Sequence, residues 1–328
     1  MIDTFMPFFG CVENIDDPDK LDRIQVRCYG YHTDNKAFIP TDMLLWVSYN
    51  GGGSGVSGIG LSGHGIVQGS TVFGFFLDKD LQIGYVLGTL KGKPSTKLMA
   101  SMGFSDPDGV YPLYVNESDV NRIARNESIE KTIVGWKKNN RVTGIPGISG
   151  SWSEPETQYN TQYPKNYVFE TESGHVIEYD DTPGAERISI NHRTGTFDEY
   201  HPDGSKVSKV LGDSFQIFLG GSFIFINGDV NQVIKGNLNQ NIMGNYTCKA
   251  SQVTFDADVK ILGRSEATDH ISSGISGKSH RHTQNPDAGG HAQQPVNPPT
   301  GANGGFQKSG VSSYSVQFNP FDPNVRLQ

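Results

Sequence analysis

From Gly212 to Tyr246 the chain reads GDSFQIFLGGSFIFINGDVNQVIKGNLNQNIMGNY, with glycine at 212, 220, 228, 236 and 244, a spacing of eight residues. Val210, Phe218, Ile226, Ile234 and Ile242 stand two residues before these glycines, and mostly polar residues such as Asp229, Asn231, Gln232 and Asn237 follow them. An amphipathic helix needs apolar positions near a 3.6-residue period, which this stretch lacks. Short β-branched pieces punctuated by glycine predict strand, bend and strand. One such repeat cannot bury its apolar face alone. With one or two inward side chains, each contributing roughly 1.5–3 kcal/mol when buried, a single chain is marginal. A monomeric solenoid or a run of hairpins is one solution. Three identical chains wound around one axis are the other, and they pair every strand edge. The period lapses at Gln252 and Lys260 and resumes at Gly263, which predicts a change of pitch.

The first hundred residues alternate differently. GCVENIDDPDKLDRIQVRCYGYHTD places Ile24, Val26 and Cys28 at alternate positions after a turn at Asp17-Pro18. DMLLWVSYN, GGGSGVSGIGLSGHG and GSTVFGFFLDKDLQIGYVLGTL follow, again strand and turn without a helical period. That rhythm predicts a small Greek-key barrel of the OB type. OB barrels often bind single strands of nucleic acid, but this one lacks the basic groove with interleaved aromatics that such binding needs. The glycine-rich run over 51–65 has no GKS or GKT ending and no following helix, so it is not a phosphate loop. The formal net charge of −8 further argues against nucleic acid or an anionic membrane as partner. Forty glycines and seventeen prolines favour strands and turns over helices. Cys11, Cys28 and Cys248 are too few and too scattered for a disulfide framework and read as buried free thiols. The start, MIDTFMPFFGCVEN, lacks the flank and apolar run of a signal peptide, and no stretch approaches the roughly 20 apolar residues of a membrane span.

Several segments together resemble the central spike proteins of contractile-tailed phages of the T-even type, which are related to the VgrG spikes of type VI secretion. They are Gly10-Cys11-Val12-Glu13, Asp17-Pro18, Lys20-Leu21, Arg23 and Arg27, then IPTDMLLWVS at 39–48, FGFFLDKD and GYVLGT. GFSDPDGVYP at 103–112 and ETESGHVIEYDDTPGAERISINHRTGTFDEYHPDGS at 170–205 continue the match in the family's order, and the glycine octads complete it. The resemblance implies an all-β homotrimer with an N-terminal OB-fold barrel and a C-terminal intertwined triple-stranded β-helix. On this reading residues 1–95 are the OB-fold domain and 96–165 an extended linker standing where the T-even spike carries a lysozyme domain. Residues 166–275 are the β-helix shaft, 276–300 a metal-binding apex and 301–328 a tail of unassigned path. The implied role is structural: a virion tail baseplate spike, docked under the tail tube to a hub protein, that pierces the host outer membrane on sheath contraction. A separate tip protein is a further partner. The alternative is a fibre or enzyme that grips or cuts cell-wall glycans. Asp22 departs from the family, which has glycine in this turn.

Residues 106–165 are too short for a lysozyme core and offer no Glu/Asp pair with an apolar pocket to raise one pKa. Glu127 and Glu130, in RNESIEK, read as a short solvated helix. The acidic cluster Glu178, Asp180 and Asp181 invites a metal or catalytic reading. Its setting predicts a structural one instead: HVIEYDDTPGAERISI alternates His175, Ile177 and Tyr179 against Val176, Glu178 and Asp180, turns at Pro183-Gly184 and runs back. Glu178 or Asp181 then pairs with Arg187 across the hairpin.

The distal histidines carry the one metal expectation. In an extended strand His280 and His282 share a face and Arg281 takes the other. Two histidines from each of three chains place six imidazoles about one axis, a nitrogen shell suited to Fe(II) rather than four-coordinate zinc. The resemblance carries onto His280 and His282 the iron-binding His-x-His of self-sharpening spike tips, one Fe per trimer. His270 and His291 lack this spacing.

Overall fold

The computed structural model describes residues 5–50, 53, 55–95, 113–267, 269, 271–272 and 275–276. The chain divides into two units, 1–239 and 240–328.

The first unit begins with a closed barrel. Strands β1 (Met6–Asn14), β2 (Ile24–Cys28), β3 (Trp46–Tyr49), β4 (Thr71–Phe76) and β5 (Gly84–Leu90) close in the order β1-β2-β3-β5-β4. All pairs are antiparallel except β3 with β5. Ile24, Val26 and Cys28, the alternating positions expected from sequence, are buried together with Phe8, Val12, Val47, Val72, Phe76 and Val86. Closure of so small a cylinder demands close backbone approach. A Cβ on Gly74, where the β4–β5 register shifts, would lie 2.1 Å from the Tyr85 carbonyl oxygen.

Two of the residues that carry the family resemblance turn out to be one buried ion pair. Arg27 Nε and Nη2 donate to Glu13 Oε1 and Oε2 at 2.7 and 3.0 Å, and both side chains are fully buried. Arg27 also donates to the carbonyls of Thr33 and Ile39, and Thr41 Oγ1 donates to Glu13. The pair thereby pins the long β2–β3 loop to the barrel. The Asp17 carboxylate organises the preceding turn, accepting from the backbone of Asp19, Leu21 and Arg23 and from the Arg23 guanidinium. The Arg23 hydrogen bonds hold the Asp17 carboxyl well below the usual range. Asp22 stands in that turn at φ +60°, the left-handed region where glycine is unstrained and Asp among the better tolerated alternatives.

The interval read as an extended linker departs from that expectation. Among its described residues are α1 (Arg122–Arg125), α2 (Ile133–Asn139) and a hairpin of β6 (Ile145–Gly147) with β7 (Gly150–Trp152). Asn121 and Thr132 cap the helices by accepting from Ile123 and Val134 backbone N–H groups. Ile123 and Val134 are buried with Tyr159 and Val176, so the segment folds onto the next sheet instead of spanning solvent. Glu127 and Glu130 are exposed as expected, on a single 3₁₀ turn over Ile129–Lys131 and just before it.

That sheet is antiparallel, ordered β12-β11-β10-β9-β8, from β8 (Asn166–Glu170), β9 (Val176–Asp180), β10 (Arg187–Asn191), β11 (Phe197–Tyr200) and β12 (Lys206–Lys209). It occupies the first part of the range assigned to the shaft. The octads follow. In this unit the chain bends at Leu211-Gly212, Leu219-Gly220, Asn227-Gly228 and Lys235-Gly236, one bend at each glycine of the repeat. In the second unit, bends fall at Met243-Gly244, at Ser251, at Ala257 and at Leu262-Gly263, and β13 (Ile271–Ser272) pairs with β14 (Ile275–Ser276). Cys11 and Cys28 are buried as expected, whereas Cys248 is exposed among the described residues. No helix among the described residues is long and apolar enough to cross a membrane.

Candidate functional site

Three features hold the chemistry or the unsatisfied surface of this chain. The first is the acidic cluster of 178–181. Period-two alternation turns Glu178 and Asp180 to the covered face of the sheet and leaves Tyr179 exposed. Arg187, directly opposite Asp180 across the β9–β10 hairpin, donates through Nη2 to Glu178, and both side chains are fully buried. The expected Glu178–Arg187 pairing is present. Arg187 Nη1 reaches on to Glu199 at 3.3 Å, and Lys137 of α2 donates to Glu199 and, at 2.9 Å, to Ser189. Asn166 donates to Glu178, and His201 Nε2 stands 3.1 Å from Glu199 Oε1. Sequence reasoning missed Lys137 and Glu199, which are 62 residues apart; the Thr132 cap ahead of IVGWKKN was the available signal for the helix that brings them together.

This network opens at one end into a cleft of about 470 Å³ lined by Lys137, Arg141, Glu154, Thr157, Glu199 and His201. Burial pushes the Glu199 carboxyl up, but the Lys137 and Arg187 cations outweigh it and bring it down to about 2. Glu199 is therefore ionised and fully engaged, the reverse of the protonated carboxyl that a glycosidic acid must be. Glu154 is committed to Lys209 and to the Val142 backbone N–H. The arrangement cements the helices to the sheet and presents no poised acid.

The second feature is the octad segment. Among the described residues its apolar side chains are poorly covered: Phe223 is 99% exposed and Phe225 90%. None of the octad glycines has a positive φ, and a Cβ built on Gly212, Gly220, Gly228, Gly236 or Gly244 meets no atom within 4 Å. Nothing among the described residues requires glycine there. The third is the outer face of the five-stranded sheet, which carries Tyr167, Phe169, Tyr179, Ile188, Ile190 and Tyr200, all exposed.

His280 and His282 lie outside the described residues, as do His270, His291 and the 103–112 segment. Among the described residues no group of three or more His, Cys, Asp or Glu is placed to hold a metal ion.

The family model described as the Gp5 N-terminal OB domain matches residues 30–191, from the β2–β3 loop through β3, β4 and β5 of the barrel to the end of β10. The chain is 41% identical over 253 residues to Protein Gp5 of Vibrio phage KVP40, covering 66% of this chain and 60% of that one. It is 34% identical over 194 residues to the pre-baseplate central spike protein Gp5 of Enterobacteria phage T4, covering 56% of this chain and 34% of that protein. A 44-residue stretch is 52% identical to the Mu-like prophage FluMu protein gp45 of Haemophilus influenzae, covering 11% and 24% of the two chains. The chain thus spans three fifths of one Gp5 relative and about a third of the other.

Proposed function

From the premise that this chain belongs to the T4-type central spike family, we propose that it is a structural spike of a phage tail baseplate. Three copies wind their octads into one β-helical needle below the tail tube. The OB barrels dock it to a hub protein, and sheath contraction drives it through the host outer membrane. One observation supports the reading above others: the repeat keeps glycine at every eighth position although its own chain leaves open space around each of these glycines. A regularly repeated glycine, in a segment that the described residues of its own chain leave open, points to neighbours from other chains. Wound together, the copies would cover Phe223, Phe225 and their equivalents and give the octad backbone, which forms no strand within one chain, partners from the other copies.

The same reading takes residues 113–161 as a brace in the place of a lysozyme domain and gives the chain no muramidase activity, in keeping with the engaged state of Glu199. At the apex, His280 and His282 of three copies would hold one iron; six neutral imidazole nitrogens form a donor set that suits a six-coordinate Fe(II). The ion would supply a clamp on the three strand ends and no chemistry of turnover. Sedimentation equilibrium of the full chain is the direct test. A mass of three chains, with electron-microscopic images placing the chain on the axis below the tail tube, is the expected result. A monomer, or a position at the particle's periphery, would overturn it.

A further inference from the structure

Three Asn-Gly pairs occur in the chain, at 50–51, 227–228 and 303–304. Only the pair at 227–228 lies wholly among the described residues, and it forms one of the octad bends. An Asn-Gly pair is open to one intramolecular reaction above all others, attack of the glycine backbone nitrogen on the asparagine side-chain carbonyl carbon. Glycine permits it because no Cβ shields the nitrogen and the backbone turns freely into the attacking geometry. Structure normally suppresses the reaction in three ways: a helix or strand fixes the backbone, a hydrogen bond holds the N–H or the carboxamide, or a neighbour fills the space. None of these acts at Asn227-Gly228. The bend belongs to no helix or strand, and both residues are exposed. Among the described residues no hydrogen bond engages the Asn227 amide or the Gly228 N–H. A Cβ built on Gly228 meets no atom within 4 Å. The octad asparagines 231, 237, 239, 241 and 245 are followed instead by Gln232, Leu238, Gln240, Ile242 and Tyr246, whose side chains crowd the attacking nitrogen.

We infer that Asn227-Gly228 is a site of spontaneous covalent modification in the unassembled chain, and that the modified chain is rejected by the assembly. The second half of the inference rests on the intertwined reading of the octads above. The Gly228 nitrogen bonds to Asn227 Cγ and gives up its proton, the Cγ–Nδ2 bond breaks, and the side-chain nitrogen leaves as ammonia. Water then opens the resulting five-membered imide at either carbonyl, so one water is consumed for each ammonia released and no oxidant is needed. Opening at the side-chain carbonyl leaves an aspartate at 227. Opening at the backbone carbonyl leaves isoaspartate, in which the main chain runs through Cβ and Cγ and the α-carboxylate becomes a branch. That product lengthens the main chain by one carbon inside a repeat whose glycines recur every eight residues. The octads at Gly236 and Gly244 then fall out of phase with those at Gly212 and Gly220, and with every unmodified copy. Either product also sets a carboxylate two residues from Asp229, bringing like charges together where copies meet. Winding the copies together fixes the backbone and closes the attacking geometry, so the reaction separates waiting chains from assembled ones.

Peptide mapping of the full chain, with isoaspartyl methyltransferase labelling to count isoaspartate, tests both halves. One sample is aged in guanidinium chloride and one in native buffer at the same mildly alkaline pH. In guanidinium Asn227 should convert many-fold faster than Asn231 and Asn237, and in the oligomer of the native sample it should convert many-fold more slowly than in guanidinium. Asn227→Gln should remove the signal from this peptide and keep the oligomer's mass, since the longer side chain closes a six-membered imide only slowly. When the aged chain is returned to buffer and fractionated by sedimentation, isoaspartate at 227 should be several-fold enriched in the monomer. Conversion of Asn227 in the oligomer at the guanidinium rate, or isoaspartate shared evenly between monomer and oligomer, would overturn the inference and leave the trimeric reading intact. A wild type that stays monomeric in buffer would remove the trimeric reading and rejection by the assembly together; conversion of Asn227 there at the guanidinium rate would still establish the site. If fresh chain fails to reassemble from guanidinium, the isoaspartate content of monomer and oligomer fractions taken directly from expressing cells decides.

Discussion

At the scale of single residues, Arg187 is the side chain on which the second sheet depends. It neutralises Glu178 and Glu199 together, and all three are buried. Arg187→Met would leave Glu178 with only the Asn166 amide from this network, and removing one partner of a buried ion pair costs about 3–5 kcal/mol. The expected outcome is a large fall in the urea midpoint of the sheet with the barrel transition unchanged, followed by circular dichroism and by Trp46 and Trp136 fluorescence. Glu199 gives the pH dependence. Its carboxyl lies at about 2 in the folded chain against an ordinary 4.5, so the folded form binds the proton less well. The stability it confers is complete above about 4.5 and drains away as the pH falls toward 2. Thermal midpoints of wild type and Glu199→Gln should therefore be well separated at pH 6 and converge on acidification through that window. A constant separation would contradict the assignment.

At the scale of elements, glycine has two different reasons for its place, and they part under mutation. Gly74 is fixed by its own chain: a Cβ there would meet the Tyr85 carbonyl oxygen at 2.1 Å and the Val86 Cα at 2.9 Å. Gly74→Ala should lower the barrel's melting temperature whatever the oligomeric state. Gly228 is fixed by nothing among the described residues of its own chain. Gly228→Val should leave barrel and sheet melting as in wild type yet reduce assembly, read as mass by sedimentation. An unimpaired Gly228→Val assembly would remove the steric argument for intertwined octads. The brace formed by α1 and α2 belongs at this scale too. Four- and seven-residue helices are too short to stand alone; they persist because Ile123, Val134 and the Lys137 amine are buried against the sheet.

At the scale of the whole molecule, the barrel, the braced sheet and the octads are three different answers to the burial of apolar surface. The barrel closes on itself and the octads do not. A cell-wall hydrolase would need a poised acid, and Glu199 in the braced cleft is ionised. Purified peptidoglycan should stay intact on zymograms with the full chain, and clearing that disappears on substitution of a glutamate between 113 and 166 would overturn the structural reading. For the apex, elemental analysis of the assembled protein should find one iron per three chains, absent from the His280→Ala/His282→Ala variant and released by acid, since protonated imidazole cannot ligate. Equal metal in wild type and variant would remove His280 and His282 as ligands.

The sequence by itself determined whatever depends on local period. Alternation placed Ile24, Val26 and Cys28 in the barrel and Glu178 opposite the exposed Tyr179, because neighbouring side chains in a strand must take opposite faces. The octad glycines marked the bends because regular interruption of β-branched runs is a local signal. That Arg187 pairs with Glu178 or Asp181 was legible for the same reason, being two strands of one hairpin; the fold selects Glu178. Which face of each strand would be covered was not legible. Expectation puts apolar residues inside, and in β8 to β11 most of the large ones lie outside, since Lys137 and Arg187 satisfy the buried carboxylates on the covered face. That choice required α2 to reach Glu199 across 62 residues of chain. Only the tertiary structure decides such a contact, because a charge is tolerated in a core when, and only when, its partner arrives from elsewhere in the fold.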